Sequence, residues 1–146
     1  LKVRRPTMLE TVPHRDALPT SLQGRQGVGG LGQGRTLATY RQRLAGRRHL
    51  VLVAEQGGEL VGFKVGYALD RRRFYSWVGG IHPAHRRQGI AQALLETQQR
   101  WAAAQGYDSI EVKTSRAFPQ MVALLERNAY QPQGEVEGKL LYRRGL

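Results

Sequence analysis

Between residues 49 and 105 the apolar pattern changes its period, and this change limits the folds open to the chain. Residues 49–55 (HLVLVAE) are a continuous apolar run of the kind a buried strand shows. Gln56-Gly57-Gly58-Glu59 reads as a turn and residues 60–69 (LVGFKVGYAL) as a second strand, so the two predict a hairpin. A charged turn at 70–73 leads into a third strand at 74–81 (FYSWVGGI), whose Gly79-Gly80 pair predicts a bulge or a close backbone approach. After a loop at 82–88 the period becomes helical. Ile90, Leu94, Thr97, Trp101 and Ala104 share one stripe of a helix over 89–105, closed by Gly106.

The flanks follow the same logic. Residues 109–114 (SIEVKT) predict a strand, and residues 119–128 a helix burying Met121, Leu124 and Leu125. Residues 130–136 and 139–143 predict a closing hairpin. At the other end, residues 1–5 suit a short strand. Pro6, Pro13 and Pro19 keep any helix over 7–22 short, and six glycines make 24–34 a loop. Leu37, Tyr40 and Leu44 fall at helical spacing in 35–46, with Gly46 as a stop. Hairpins first, then strand–helix–strand–helix–strand, predict an α/β (mixed α+β) class with one sheet. The 74–81 and 109–114 strands should run parallel, joined by the 89–105 helix. With 146 residues and 40% hydrophobic content, a single domain over 1–146 is expected.

Composition removes several chemistries. The chain has no cysteine, which excludes thiolate catalysis, disulfides and cysteine-bound metal, and suits a reducing cytoplasm. The first twenty residues hold no apolar run, and no stretch approaches the roughly 18 apolar residues of a membrane helix. No signal peptide and no membrane partner are therefore expected. Net charge is +12, and ten of the 23 Lys and Arg fall in residues 1–50 against two acids. A basic surface attracts polyanions, so nucleic acid, an acidic protein and a phosphorylated cofactor all fit.

The stretch from Ile81 to Ala91 (IHPAHRRQGIA), between a strand and a helix, narrows the choice. A helix start offers free N–H groups and about half a positive charge, which suits a phosphate. Gly89 lacks a Cβ and Ala91 is small, so phosphate oxygens can approach the backbone, while Arg86 and Arg87 add charge. No acid precedes Glu96 in the helix to repel an anion.

Arg86-x-x-Gly89-x-Ala91, with the Ile81-x-Pro83 step before it and Leu94-Leu95 after it, resembles the signature of the GNAT superfamily of N-acetyltransferases. The resemblance covers roughly residues 50–143, including Glu59-Leu60-Val61-Gly62 and Lys139-Leu140-Leu141-Tyr142-Arg143. It implies a mostly antiparallel sheet with one splayed parallel strand pair and helices on both faces. Residues 49–143 form the core with the cofactor site, and 1–48 form a divergent acceptor-side segment. It also implies that acetyl-CoA is the cosubstrate. Pantetheine would lie along the third strand near Gly80, Ile81 and His82, with the pyrophosphate on Arg86, Arg87, Gln88, Gly89, Ile90 and Ala91. N–H groups near Val78 to Gly80 would meet the oxyanion. The acceptor would be a primary amine of a small molecule or a protein, attacking the thioester directly without a metal, and a homodimer is compatible.

The chain departs from the family pattern at the last helix. Where many members have Leu-Tyr-x-x-x-Gly-Phe, with the tyrosine protonating the leaving thiolate, this chain has Leu124-Leu125-Glu126-Arg127-Asn128-Ala129-Tyr130. Leu125 cannot donate a proton, Arg116 lies near the place of a frequent asparagine, and 74–77 carries no carboxylate base. No catalytic residue is assigned; Tyr75 or a water chain is left to relay the proton. The alternatives are an inactive acyl-CoA-binding protein and a basic nucleic-acid-binding module. Gly27-x-Gly29-x-x-Gly32 matches a dinucleotide fingerprint, but no strand precedes it, so it reads as a flexible loop bordering the acceptor site. His82 and His85 lack a third metal ligand and read as loop histidines near the cofactor. A Ser76–His82–Asp70 triad has no nucleophile elbow to support it. Arg71-Arg72-Arg73 reads as a solvated hairpin tip, and Trp77 and Trp101 as core.

Overall fold

The computed structural model describes residues 1–6 and 37–146. The proline-interrupted 7–22 stretch, the glycine-rich 24–34 loop with its fingerprint, and most of the 1–48 segment lie outside the described residues. In chain order the elements are β1 (Lys2–Arg4), α1 (Leu37–Leu44), β2 (His49–Gln56), β3 (Glu59–Ala68) and β4 (Arg73–Ile81). They continue with a 3-10 turn (Pro83–His85), α2 (Ile90–Ala104), β5 (Ser109–Thr114), α3 (Pro119–Arg127), β6 (Gln131–Val136) and β7 (Lys139–Gly145). The expected elements in this range are all present, with ends differing by one or two residues.

The strands form one sheet in the order β1-β2-β3-β4-β5-β7-β6. Every neighbouring pair is antiparallel except β4 and β5. The class is therefore mixed α/β, as the sequence predicts. The hairpins form where the turn residues allow them: Gly57 and Gly58 take φ of +60° and +82° between β2 and β3.

Strand alternation gives the sheet two apolar faces, and helices cover both. On one face α2 and α3 pack Ile90, Leu94, Leu95, Leu124 and Leu125 against residues that include Leu52, Phe74 and Ile110. On the other, Tyr40 of α1 joins Val53, Phe63, Val65, Tyr67, Trp77 and Val78. Side chains such as Phe74, Ile110 and Leu125 are fully buried, each contributing about 1.5–3 kcal/mol of transfer free energy. Trp101 is only partly buried, and the Arg5 guanidinium lies 5.8 Å above its ring.

Two details of register shape the centre of the sheet. Val65 faces Val78 and Gly66 faces Ser76, so Trp77 is an extra residue in β4 with no partner on β3. At the Gly79-Gly80 pair, expected to carry a bulge or a close backbone approach, it is the approach that is found: a Cβ at Gly79 would stand 3.1 Å from the Phe63 carbonyl oxygen, and the bulge lies two residues earlier. In addition, β4 pairs with β5 only from Arg73–Ser109 to Ser76–Val112, while β4 runs on to Ile81. A bulge bends its strand and increases local twist, so the two parallel strands part just where the bulge begins. Among the described residues no helix is long and apolar enough to cross a membrane.

Candidate cofactor and active site

The parting of β4 from β5 leaves an internal strand edge. His82 N–H donates to the Val61 carbonyl at 2.7 Å, which makes 82 and 61 a hydrogen-bonded pair. Antiparallel pairs alternate. Phe63 and Gly80 are thus hydrogen-bonded to each other, and the polar groups of Gly79 and Ile81 point away from β3. The backbone groups of Gly80 and His82 are committed to β3, and those of Gly79 and Ile81 face the opening. An extended ligand with amide groups fits such an edge as an added strand.

The edge leads directly to the start of α2. His82 turns the chain, its Nδ1 accepting from Ala84 N–H at 3.2 Å to cap the 3-10 turn. Arg86, Arg87, Gln88 and Gly89 are exposed, Ile90 buries its side chain, and Ala91 is half-buried. Arg87 and Gly89 both have positive φ, +62° and +78°, with Gln88 between them at negative φ. Alternating handedness of this kind turns successive N–H groups toward one point and forms an anion cradle. α2 has neither a side-chain cap nor an acidic residue in its first turn, so its first N–H groups and dipole serve the same point. A Cβ built at Gly89 would meet nothing within 4 Å. The cradle is therefore open, and a phosphate group fits it.

Leu125 is fully buried in the α2–α3 core. Tyr75 lies on the opposite face, its ring 5.4 Å from that of Tyr67, with Lys113 Nζ 5.7 Å from its centroid. The two positions considered for proton transfer are thus separated by the sheet. The hairpin tip is solvated as expected, and Arg73, with its side chain 43% exposed, bonds Asp70 at 2.8 Å and Glu111 at 3.2 Å. The Arg73 side chain and the Arg72 and Arg73 N–H groups hold the exposed Asp70 carboxyl down at about 2. Arg116 pairs with Glu135. The rings of His82 and His85 lie 5.6 Å apart. No group of three His, Cys, Asp or Glu is placed to hold a metal among the described residues.

One residue of this region was not singled out by its pattern. Lys64, midway along β3, is only 8% exposed. Burial lowers its ammonium from 10.5 to about 8. The signal for it is the spacing Gly62-x-Lys64-x-Gly66, which puts it between two glycines on one face of the strand.

The helix start, with its free N–H groups, is thus continuous with the open strand edge. Residues 25–130 match the acetyltransferase (GNAT) family, and the chain belongs to that family. An acetyltransferase of Sodalis glossinidius (strain morsitans) is 32% identical over 87 residues, which are 60% of this chain and 61% of the relative. The chain thus spans less than two thirds of that relative's length. Among solved structures, an IAA acetyltransferase from Bacillus cereus ATCC 14579 superposes with a TM-score of 0.75 at 20% identity, covering 99% of both chains. A GNAT family acetyltransferase from Elizabethkingia anophelis with acetyl-CoA bound gives 0.70 at 15% identity, covering 99% of this chain and 97% of the other. These two share the fold.

Proposed function

We propose that the protein is an acetyl-CoA-dependent N-acetyltransferase that moves an acetyl group to a primary amine. The observation that carries this reading is the continuity of the open edge at Gly79 and Ile81 with the cradle at Arg87 to Ala91. An acyl-CoA presents amides and a pyrophosphate in that order along its length. Family membership and the acetyl-CoA in the Elizabethkingia anophelis relative support the choice.

In this reading Ile81 and Gly79 orient the pantetheine amides, and the first turn of α2 with Arg86 and Arg87 holds the pyrophosphate. The thioester supplies an activated carbonyl. The Gly79 N–H faces the opening beside the bulge and is the donor placed to stabilise negative charge on the carbonyl oxygen. The amine approaches from the α1 face, where Tyr75, Glu111 and Lys113 are the polar side chains of β4 and β5. Every group named comes from one copy of the chain, so the site does not call for a homodimer. The reading places the enzyme in the cytoplasm, with its supply of acetyl-CoA.

The test is release of free CoA thiol from acetyl-CoA across a panel of small amines, lysine peptides and peptide N-termini. Amine-dependent release supports the reading. Binding of acetyl-CoA without release for any amine would instead make the protein an acyl-CoA-binding relative without this activity.

A further inference from the structure

β3 presents Gly62, Lys64 and Gly66 in succession to the face covered by α2. A Cβ at Gly62 would meet Ile90 Cγ2 at 3.2 Å, and one at Gly66 would meet Gln98 Nε2 at 2.8 Å. The helix from Ile90 to Gln98 and the strand from Gly62 to Gly66 both span about 12–13 Å. Leu94, midway along that helical stripe, therefore sits above Lys64. The lysine cannot extend straight up from the sheet, and its stem turns sideways. A Cβ at Gly79, its partner across β4, would lie 3.6 Å from Lys64 Cγ. The four-carbon stem is longer than one interstrand spacing of about 4.8 Å, so its length is enough for the ammonium to reach across β4 toward the opening beyond. Gly79 places no side chain on that route. Among the described residues Lys64 has no hydrogen-bond or ion-pair partner. Its partners across the sheet are Leu52 and Gly79, and Ser76 and Gln98 stand at the neighbouring Gly66; none of these is titratable.

We propose that Lys64 is the general acid of the reaction, passing a proton from its ammonium across Gly79 to the CoA sulfur as the thioester breaks. The inference rests on the acetyltransferase reading and supplies the donor that Leu125 cannot be. As the amine nitrogen bonds to the acetyl carbon, the carbon–sulfur bond breaks and its electron pair stays on sulfur. Lys64 Nζ protonates that sulfur. The proton lost by the attacking amine goes to solvent, and solvent returns one to Lys64. The ammonium at about 8 is matched to an ordinary thiol near 8.5 and is still protonated at neutral pH. Lys64 and Leu125 belong to the same face of the sheet.

The experiment titrates the thiol of bound CoA by its ultraviolet thiolate absorbance in wild type, Lys64→Met and Lys64→Arg, with CoA binding measured by calorimetry. All three should bind CoA. The bound thiol should ionise about one pH unit lower in wild type than in Lys64→Met, because a cation beside it favours the thiolate. Lys64→Arg should keep the low midpoint, since it keeps the charge, yet it cannot donate a proton. Amine-dependent turnover should fall about 100-fold in both variants, and the decline of wild-type turnover as pH rises through about 8 should disappear. Equal thiol midpoints in wild type and Lys64→Met, with CoA bound to both, would overturn the assignment. So would wild-type turnover with an intact alkaline limb in Lys64→Arg. Failure of the wild type to bind CoA would overturn the acetyltransferase reading itself.

Discussion

Gly66 on β3 lies directly beneath Gln98 on α2, so close that a Cβ at 66 would stand 2.8 Å from Gln98 Nε2 and 2.4 Å from Phe74 Cε2. The helix that carries the anion cradle therefore rests on a strand stripped of side chains at Gly62 and Gly66. Gly66→Ala should destabilise the fold by about 2 kcal/mol through overpacking. Chemical denaturation checks this, and an unchanged midpoint would show that the helix does not seat as closely as the distances require.

Lys64 also makes stability depend on pH, with a definite sign. Its folded value of about 8 lies below the ordinary 10.5. Between those values the unfolded chain holds a proton that the folded chain has released, so stability rises with pH across this window. At about 1.4 kcal/mol per unit the effect amounts to about 3 kcal/mol. Below about 8 the buried ammonium costs the fold its full desolvation. Lys64→Met should accordingly be more stable than wild type at pH 7 and show a flatter pH dependence between 8 and 10.5. Urea unfolding across that range tests both, and a parallel pair of curves would refute the burial of a charge at this position.

Ala129 and Tyr130, at the end of α3, stand where the family pattern has glycine and phenylalanine. Ala129 has φ of +66°, a conformation that costs a residue with a Cβ about 1 kcal/mol relative to glycine. The Tyr130 hydroxyl is buried without a hydrogen-bond partner among the described residues, and burial pushes its phenol above the usual tyrosine range. Ala129→Gly and Tyr130→Phe should each stabilise the protein by about 1 kcal/mol. Thermal unfolding measures the gain, and a loss in either variant would contradict the strain or the unmade bond it is meant to relieve.

The sequence made the element order legible because turn residues and apolar periods agree from residue 49 onward. The cradle was legible for a similar reason: Gly89 precedes the first buried residue of a helix with no early acid. Register was not, because periodicity within one strand carries no information on its partner. Gly79-Gly80 suggested a bulge or a close backbone approach, and only the pairing of β3 with β4 puts the approach at Gly79 and the bulge at Trp77. The same limit hid Lys64. A lone lysine in an apolar strand reads as the position that points to water, until the helix packed over Gly62 and Gly66 shows that this face is inside. The pairing of Arg73 with Glu111 was hidden for the same reason, because Glu111 belongs to a parallel strand far along the chain.

Calorimetric titration of acetyl-CoA into wild type and Gly89→Val tests the central claim most directly. Gly89 has φ of +78° and open space where its Cβ would be, so the substitution strains the turn by about 1 kcal/mol and fills the cradle. Binding by wild type, and affinity at least about tenfold weaker in a variant that still unfolds cooperatively, is the expected result. Absence of binding by wild type, or undiminished affinity in Gly89→Val, would contradict the placement of the cofactor at the start of α2.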